Sequence, residues 1–354
     1  MKKQKTFLFI TILIINLILL SGILISKKQD YSAVENRYLQ TFSIYKFNDY
    51  LSDHFPFRNE FISLKNKVNK LAGNTLINGV YVTDDYLIPE FKDNDKKDAM
   101  INIINNFAQK NSGVDVMIVP DSIAINSDKL KRSLSTDEQS EIDYLYSKLN
   151  TNNINVFNEL LQENNLYDNQ YYHSDHHWTS FGAYTAYKKY FENKNITPLE
   201  KDDFTIKEVS NDFNGTSSSI AIGFDYKDSI YTFNTNANLS VEYVNESIKT
   251  DTLYNEKYLN EKDKYAMFLD NNHALIHITN NDINDSSSLL IIKNSYANCF
   301  VPLIVNHYQN VYVIDLRYFK TSVSDFIKEN SIQNTLILYN LNNFYSDMSI
   351  ATLK

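Results

Sequence analysis

Five short apolar runs, separated by stretches of helical periodicity, constrain this chain more than any other feature. They are Val114–Val119, Ile154–Phe157, Ser288–Ile292, Val311–Ile314 and Leu336–Tyr339. Each has the length of a strand, and continuous apolarity marks strands covered on both faces. The spacing around them predicts helices over about 96–111, 136–150, 158–165, 180–193, 296–308 and 322–329. Strands alternating with helices imply an α/β fold, a parallel sheet flanked by helices on both faces. Ligands of such sheets bind beyond the carboxyl ends of the strands. Asp121 and Ser295 each follow an apolar run closely, and so fall at such ends.

The first 28 residues differ from the rest. Phe7 to Ile25 is almost wholly apolar, with Lys on both flanks. Nineteen residues at about 1.5 Å each reach roughly 28 Å, close to the hydrocarbon thickness of a bilayer. No small-residue cleavage site follows, so the expectation is an uncleaved single-pass anchor. The remainder would then lie outside the membrane. That remainder carries −14 of formal charge, against −9 for the whole chain. An acidic outer domain argues against nucleic acid as a partner. One Cys excludes an internal disulfide.

The expected organisation is an anchor over 1–28, a helical stalk over 29–75 and an α/β domain over 76–354. Pro56 is expected to split the stalk into two helices. Residues 79–91 read as two short strands joined at Asp84-Asp85. Residues 200–285 are polar and irregular, and read as an inserted β-rich region.

The chemistry concentrates in Tyr171-Tyr172-His173-Ser174-Asp175-His176-His177-Trp178-Thr179. An acid placed to orient an imidazole is two thirds of a nucleophilic triad. Ser295, at a strand end and a helix start, is the candidate nucleophile, because free N–H groups there can stabilise an oxyanion. His177 is the candidate base and Asp175 its orienting acid. The neighbouring His176 stays open as the base, and Ser295 also reads as an ordinary helix cap. A metal set of His173, Asp175 and His177 on one side of an extended segment is a further reading. Gly215 is a second candidate oxyanion donor. Arg317, Tyr296, Trp178 and His176 are candidates for substrate contact, and Asp121 at its strand end is another. Cys299 reads as a small core residue. Ser229 has no apolar strand before it and is rejected as a nucleophile.

Asp175-His176-His177-Trp178 resembles the signature of the DHHW family of bacterial proteins. Asn36-Arg37, Asp53-His54-Phe55-Pro56-Phe57-Arg58, Asn78-Gly79-Val80-Tyr81, Ser295-Tyr296-Ala297 and Asp315-Leu316-Arg317-Tyr318 extend the resemblance over nearly the whole chain after residue 30. That family is similar to the periplasmic alginate O-acetylation proteins, which have an SGNH-hydrolase-like fold. The resemblance implies acetyl transfer through a Ser295 acyl-enzyme to a cell-surface or exported polysaccharide, with no cofactor and no metal. It implies a membrane-bound O-acyltransferase as acetyl donor. A polysaccharide acetyl-esterase, or a non-catalytic polysaccharide-binding or scaffold partner of that acyltransferase, are the alternatives. Lys293-Asn294-Ser295 departs from the Gly-Asp-Ser found at many SGNH nucleophiles.

Overall fold

The computed structural model describes residues 4, 6–14, 29–92, 96–130 and 137–353. Of the apolar run Phe7–Ile25, residues 7–14 are helical, and the rest of that run lies outside the described residues. Among the described residues no helix is long and apolar enough to cross a membrane.

The N-terminal part starts with an antiparallel ribbon, β1 (Tyr31–Ser32) and β2 (Arg37–Tyr38). Helices α1 (Phe47–Asp53) and α2 (Arg58–Leu71) follow. They are split at Pro56, as the sequence predicts. Arg37 donates to the Asp53 carboxylate and Arg58 to that of Glu35. These pairs bind the ribbon to the junction of the two helices. Strands β3 (Leu76–Ile77), β4 (Val80–Val82) and β5 (Leu87–Pro89) then form a small antiparallel sheet.

The body begins with α3 (Lys97–Lys110), β6 (Val114–Val119), α4 (Ser122–Ile125), α5 (Glu138–Lys148), β7 (Asn152–Asn153), α6 (Phe157–Tyr167) and α7 (Ser180–Asn193). Next come β8 (Thr205–Phe213), α8 (Thr216–Ile220), β9 (Asp228–Asn234), β10 (Leu239–Tyr243), β11 (Ile248–Thr250) and β12 (Leu275–Asn280). The chain ends with β13 (Ser288–Lys293), α9 (Val301–Ile304), β14 (Asn310–Ile314), α10 (Val323–Glu329), β15 (Asn334–Asn340) and α11 (Leu341–Ser346). The central sheet runs β11-β10-β12-β14-β13-β15-β6-β7.

The strands from β14 to β7 are parallel. The expected parallel sheet is thus present in part: β12, β10 and β11 add antiparallel strands, so the sheet as a whole is mixed. The reason is visible along these strands. In β10, Val241 and Tyr243 are buried while their neighbours are less so, the alternation of a strand with one solvated face. In β13 every residue is buried. Leu289, Leu290, Ile291 and Ile292 each contribute about 1.5–3 kcal/mol of hydrophobic stabilisation.

Two other expectations shift. The run Ile154–Phe157 is not a strand; β7 precedes it, and Phe157 opens α6. These apolar residues are buried because the chain turns beneath α6. The helix expected over 296–308 is broken into a 3₁₀ turn, Ser295–Asn298, and α9. Pro302 lies in the first turn of α9, where its missing N–H costs nothing.

The parallel strands deliver Asp121, Asn294, Ser295, Asp315 and the end of β15 to one edge of the sheet. The chain winds outward from β6 to β7 on one side and from β13 to β14 on the other, with β15 between. Such a reversal leaves a crevice at the carboxyl ends.

Candidate active site

The loop between α6 and α7 carries the Asp-x-His pair. An isolated bridge between Tyr171 and Trp178 closes it, and Thr179 N donates to Gln170 O at 2.9 Å. Thr179 Oγ1 accepts from Phe181 N and Gly182 N, capping α7. A Cβ at Gly182 would lie 2.3 Å from Gln170 O, so only glycine lets the loop rest on the helix.

Within the loop, Asp228 accepts from His173 N and Ser174 N, both at 2.8 Å, and from Ser174 Oγ. Ser174 Oγ accepts from Gly215 N at 2.9 Å, and Thr216 N donates to Asp175 Oδ1 at 2.7 Å. The segment after β8 is thereby laid against Asp175. A Cβ at Gly215 would stand 2.3 Å from Asp175 Cβ. Gly215 is thus corrected as an oxyanion donor: its N–H is engaged by Ser174, and its lack of a side chain is what admits Asp175.

The structure brings Asp175, His177 and Ser295 together. His177 Nδ1 is 2.6 Å from Asp175 Oδ2, and Nε2 is 2.8 Å from Ser295 Oγ. A carboxylate only accepts, so Nδ1 carries the proton and Nε2 is free to take one from Ser295. Asp175 Oδ2 also accepts from His177 N at 3.1 Å. His177, not His176, therefore faces the nucleophile.

His176 sits beside it, ring centroids 3.8 Å apart, with Nδ1 3.5 Å from Asp175 Oδ1. Two imidazoles share one carboxylate, and their surroundings shift them in opposite directions. Burial pushes His177 down to about 4, aided by the charge of His176 and opposed by Asp175. Burial also opposes the charge on His176, but Asp175 outweighs it and raises that imidazole. Burial would raise Asp175, yet the two imidazoles hold its carboxyl well below the usual range. A neutral His177 beside an ionised Asp175 is the state a general base requires.

Ser295 is the first residue of a 3₁₀ turn. Asn294, rather than Ser295, caps it, its side chain accepting from Tyr296 N at 3.1 Å. Among the described residues the Ser295 N–H has no acceptor, so it remains available to a developing oxyanion. Asn294 Nδ2 donates to Asn340 Oδ1, and Asn340 Nδ2 to Asp121 Oδ1. Asn342 N reaches Asp121 Oδ2 at 2.9 Å. Asp121 thus supports the nucleophile turn through two amides.

Several other candidates take different roles. Trp178 and Tyr296 are fully buried, and Trp178 Nε1 donates to Tyr296 O at 2.8 Å. Tyr296 Oη donates to His176 O. Both clamp the two loops together and do not line a substrate surface. Arg317 is corrected likewise, since Nε and Nη2 hold both oxygens of Asp315. Below it, Lys293 Nζ bonds Asn272 and Asn298 at 2.7 and 2.6 Å, and burial lowers it to about 8. His173 leaves the metal set: its ring stacks on Tyr86 and Nδ1 lies 3.1 Å from Asp85 O. Asp175, His176 and His177 do converge within 4.8 Å, but their facing atoms are paired with one another. Burial pushes the Cys299 thiol up to about 12, which keeps it inert. Ser229 lies within β9.

Sequence reasoning missed Tyr265. Its ring stacks on His177 at 3.9 Å and 10°, and its hydroxyl donates to Ser295 O at 3.0 Å. It came from a stretch read as irregular, and no local signal marks it.

The model of the family described as DHHW protein matches residues 69–314. A DHHW family protein from Eubacterium siraeum has a TM-score of 0.68 at 20% identity, covering 78% of this chain and 95% of that one. PatB1 from Bacillus cereus with a sulfonyl adduct has a TM-score of 0.66 at 20% identity, covering 76% and 97%. A further PatB1 structure gives 0.65 at 19%, covering 76% and 98%. At such identity these likenesses establish the fold. No curated protein matches this sequence.

Proposed function

This chain belongs to the DHHW family, and we infer that it is an O-acetyltransferase that works outside the membrane on a cell-surface or exported polysaccharide. The observation that carries this reading is the line from Asp175 through His177 to Ser295 Oγ, with hydrogen bonds of 2.6 and 2.8 Å.

In the first half-reaction Ser295 Oγ attacks the acetyl carbonyl carbon and its proton passes to His177 Nε2. The oxyanion forms toward the Ser295 N–H. Collapse expels the donor oxygen, which takes the proton from His177, and leaves acetyl-Ser295. In the second half a sugar hydroxyl attacks that ester. His177 takes its proton and returns it to Ser295 Oγ as the acetyl group leaves on the sugar. Tyr265, stacked on His177, fixes the plane of the imidazole.

A membrane-bound O-acyltransferase is the proposed acetyl donor, from family resemblance. The apolar run Phe7–Ile25 supports anchoring of the domain near such a donor. A cleft of about 750 Å³, whose lining includes Asn214 and Ser218 on either side of the Gly215–Thr216 segment that bonds the Asp175 loop, offers polar groups to an acceptor, with Lys262 and Lys264 among them.

The test uses the full chain with a serine-directed sulfonyl fluoride or an activated acetyl ester, read by intact mass. The expected result is one adduct, absent in Ser295→Ala and slowed in His177→Ala. Persistence of the adduct in Ser295→Ala would overturn the assignment. Acetyl recovered on an added oligosaccharide identifies a transferase, and acetate alone an esterase.

A further inference from the structure

Helix α2 is packed inside out. Of its fourteen residues, Phe61, Leu64, Val68 and Leu71 are between 52% and 88% exposed, and so is Phe57 just before it. Its one buried residue is Asn66, whose Nδ2 donates to Ile222 O at 2.8 Å. At about 100° per residue the four apolar side chains of the helix fall within a stripe roughly 80° wide. Asn66 lies opposite that stripe, while Lys65 and Lys67 flank it on either side. A helix of a water-filled surroundings turns its apolar stripe to the core; this one turns a polar side to the core. Phe57 caps the helix with φ at 57°, a conformation that costs a bulky residue free energy.

The surroundings of the stripe indicate what covers it. Tyr38, Phe42, Ile44 and Tyr45 in the preceding segment are also exposed. The apolar run Phe7–Ile25 ends only five residues before β1. Five residues span at most about 18 Å, and the Arg37–Asp53 and Arg58–Glu35 pairs hold the ribbon at the start of α2. Charge divides in the same way. Residues 1–75 carry eleven basic and five acidic side chains, so the whole negative excess of the chain lies beyond them.

We propose that the exposed face of α2 lies in the interface of the bilayer that the chain enters, with its apolar stripe among the acyl chains and Lys65 and Lys67 at the anionic headgroups. Aromatic side chains and flanking lysines suit that depth. This rests on the anchor reading only for the position of the bilayer. Docking there would hold the sheet edge bearing Ser295 at a set orientation to the membrane.

The test is made on the full chain in vesicles of phosphatidylcholine and phosphatidylglycerol. Leu64→Cys carries an environment-sensitive fluorophore, and Lys249→Cys on the far edge strand is the control. Both positions are exposed, so neither substitution disturbs the core, and buried Cys299 stays unlabelled. Brominated acyl chains are expected to roughly halve the Leu64 emission and leave Lys249 unchanged, as for a face sunk about 5–10 Å into the interface. A chain that floats with vesicles but shows no lipid quenching at Leu64 overturns the docking alone. A Leu64 label shielded from water without lipid quenching also overturns it, and points to a protein occupant. A chain that fails to float overturns the anchor as well.

Discussion

Two carboxylates flank His176, and their surroundings make them opposites. Asp175 faces two imidazoles and the Thr216 N–H, and is held well below the usual carboxyl range. Asp121 faces two amides and the buried Glu138, whose Oε2 accepts from Asp121 N at 2.8 Å. Burial pushes Asp121 up to about 6 and Glu138 well above its ordinary value, the latter also raised by Asp121. Both residues are almost fully buried. The lesson is that burial alone does not set the charge. Direct bonding to two imidazoles keeps Asp175 ionised to orient a base, whereas at Asp121 burial outweighs its two amide donors and the more distant His176 and leaves it holding a proton near pH 6.

The contrast is broken most strongly by removing the charge of each in turn. Asp175→Asn is expected to slow acylation of Ser295 by about 10³–10⁴-fold, because the imidazole loses its tautomer and its counter-charge. Asp121→Asn should stay within about tenfold, since it reaches the nucleophile turn only indirectly, through Asn340 and Asn294 and through its field at His176. Equal losses in the two variants, followed by rate of adduct formation, would erase the distinction.

Gly215→Ala comes next. Its new Cβ must displace Asp175, so acylation should fall by about 10²-fold with the charge retained. An unaltered rate would mean that the position of Asp175 is not critical. His176→Gln sharpens the comparison from the other side. The charge on His176 depresses His177, so its removal should move the acid limb of the pH–rate profile upward. A downward shift would contradict the arrangement of charge described above.

The smallest effect is on stability. Asp121 has its folded pKa raised, so its contribution is full below the unfolded value near 4 and is lost as pH rises through about 6. His307, lowered to about 4 by burial, does the reverse: its contribution is full above about 6.5 and is lost as pH falls toward 4. Thermal midpoints between pH 4 and 7 should therefore slope more steeply upward in Asp121→Asn, and less so in His307→Phe. The same slope in both variants as in the parent would show that neither group titrates in this window.

Much of this was legible along the chain. The helices 97–110, 138–148 and 180–193 and the strands 114–119, 288–293 and 334–340 follow apolar patterning, because burial imposes a period that one sequence can display. The partnership of Asp175 with His177 is local, two residues apart, and Ser295 stands out at a strand end. The roles of Gly215, Arg317, Trp178 and Tyr296 were misread, since a hydrogen-bonding group looks the same in sequence whether free or engaged. Tyr265 had no signature at all, because stacking of two rings so far apart in the chain as His177 and Tyr265 leaves no period.

The sequence by itself determined the α/β layering, the acid–imidazole pair and the apolar run at the N-terminus, all properties of composition and short-range spacing. Tertiary structure alone decided which histidine meets Ser295, which N–H remains free and which way α2 faces. These depend on distances between segments far apart in the chain. They follow from how the strands are ordered in the sheet and how the loops beyond it close on one another.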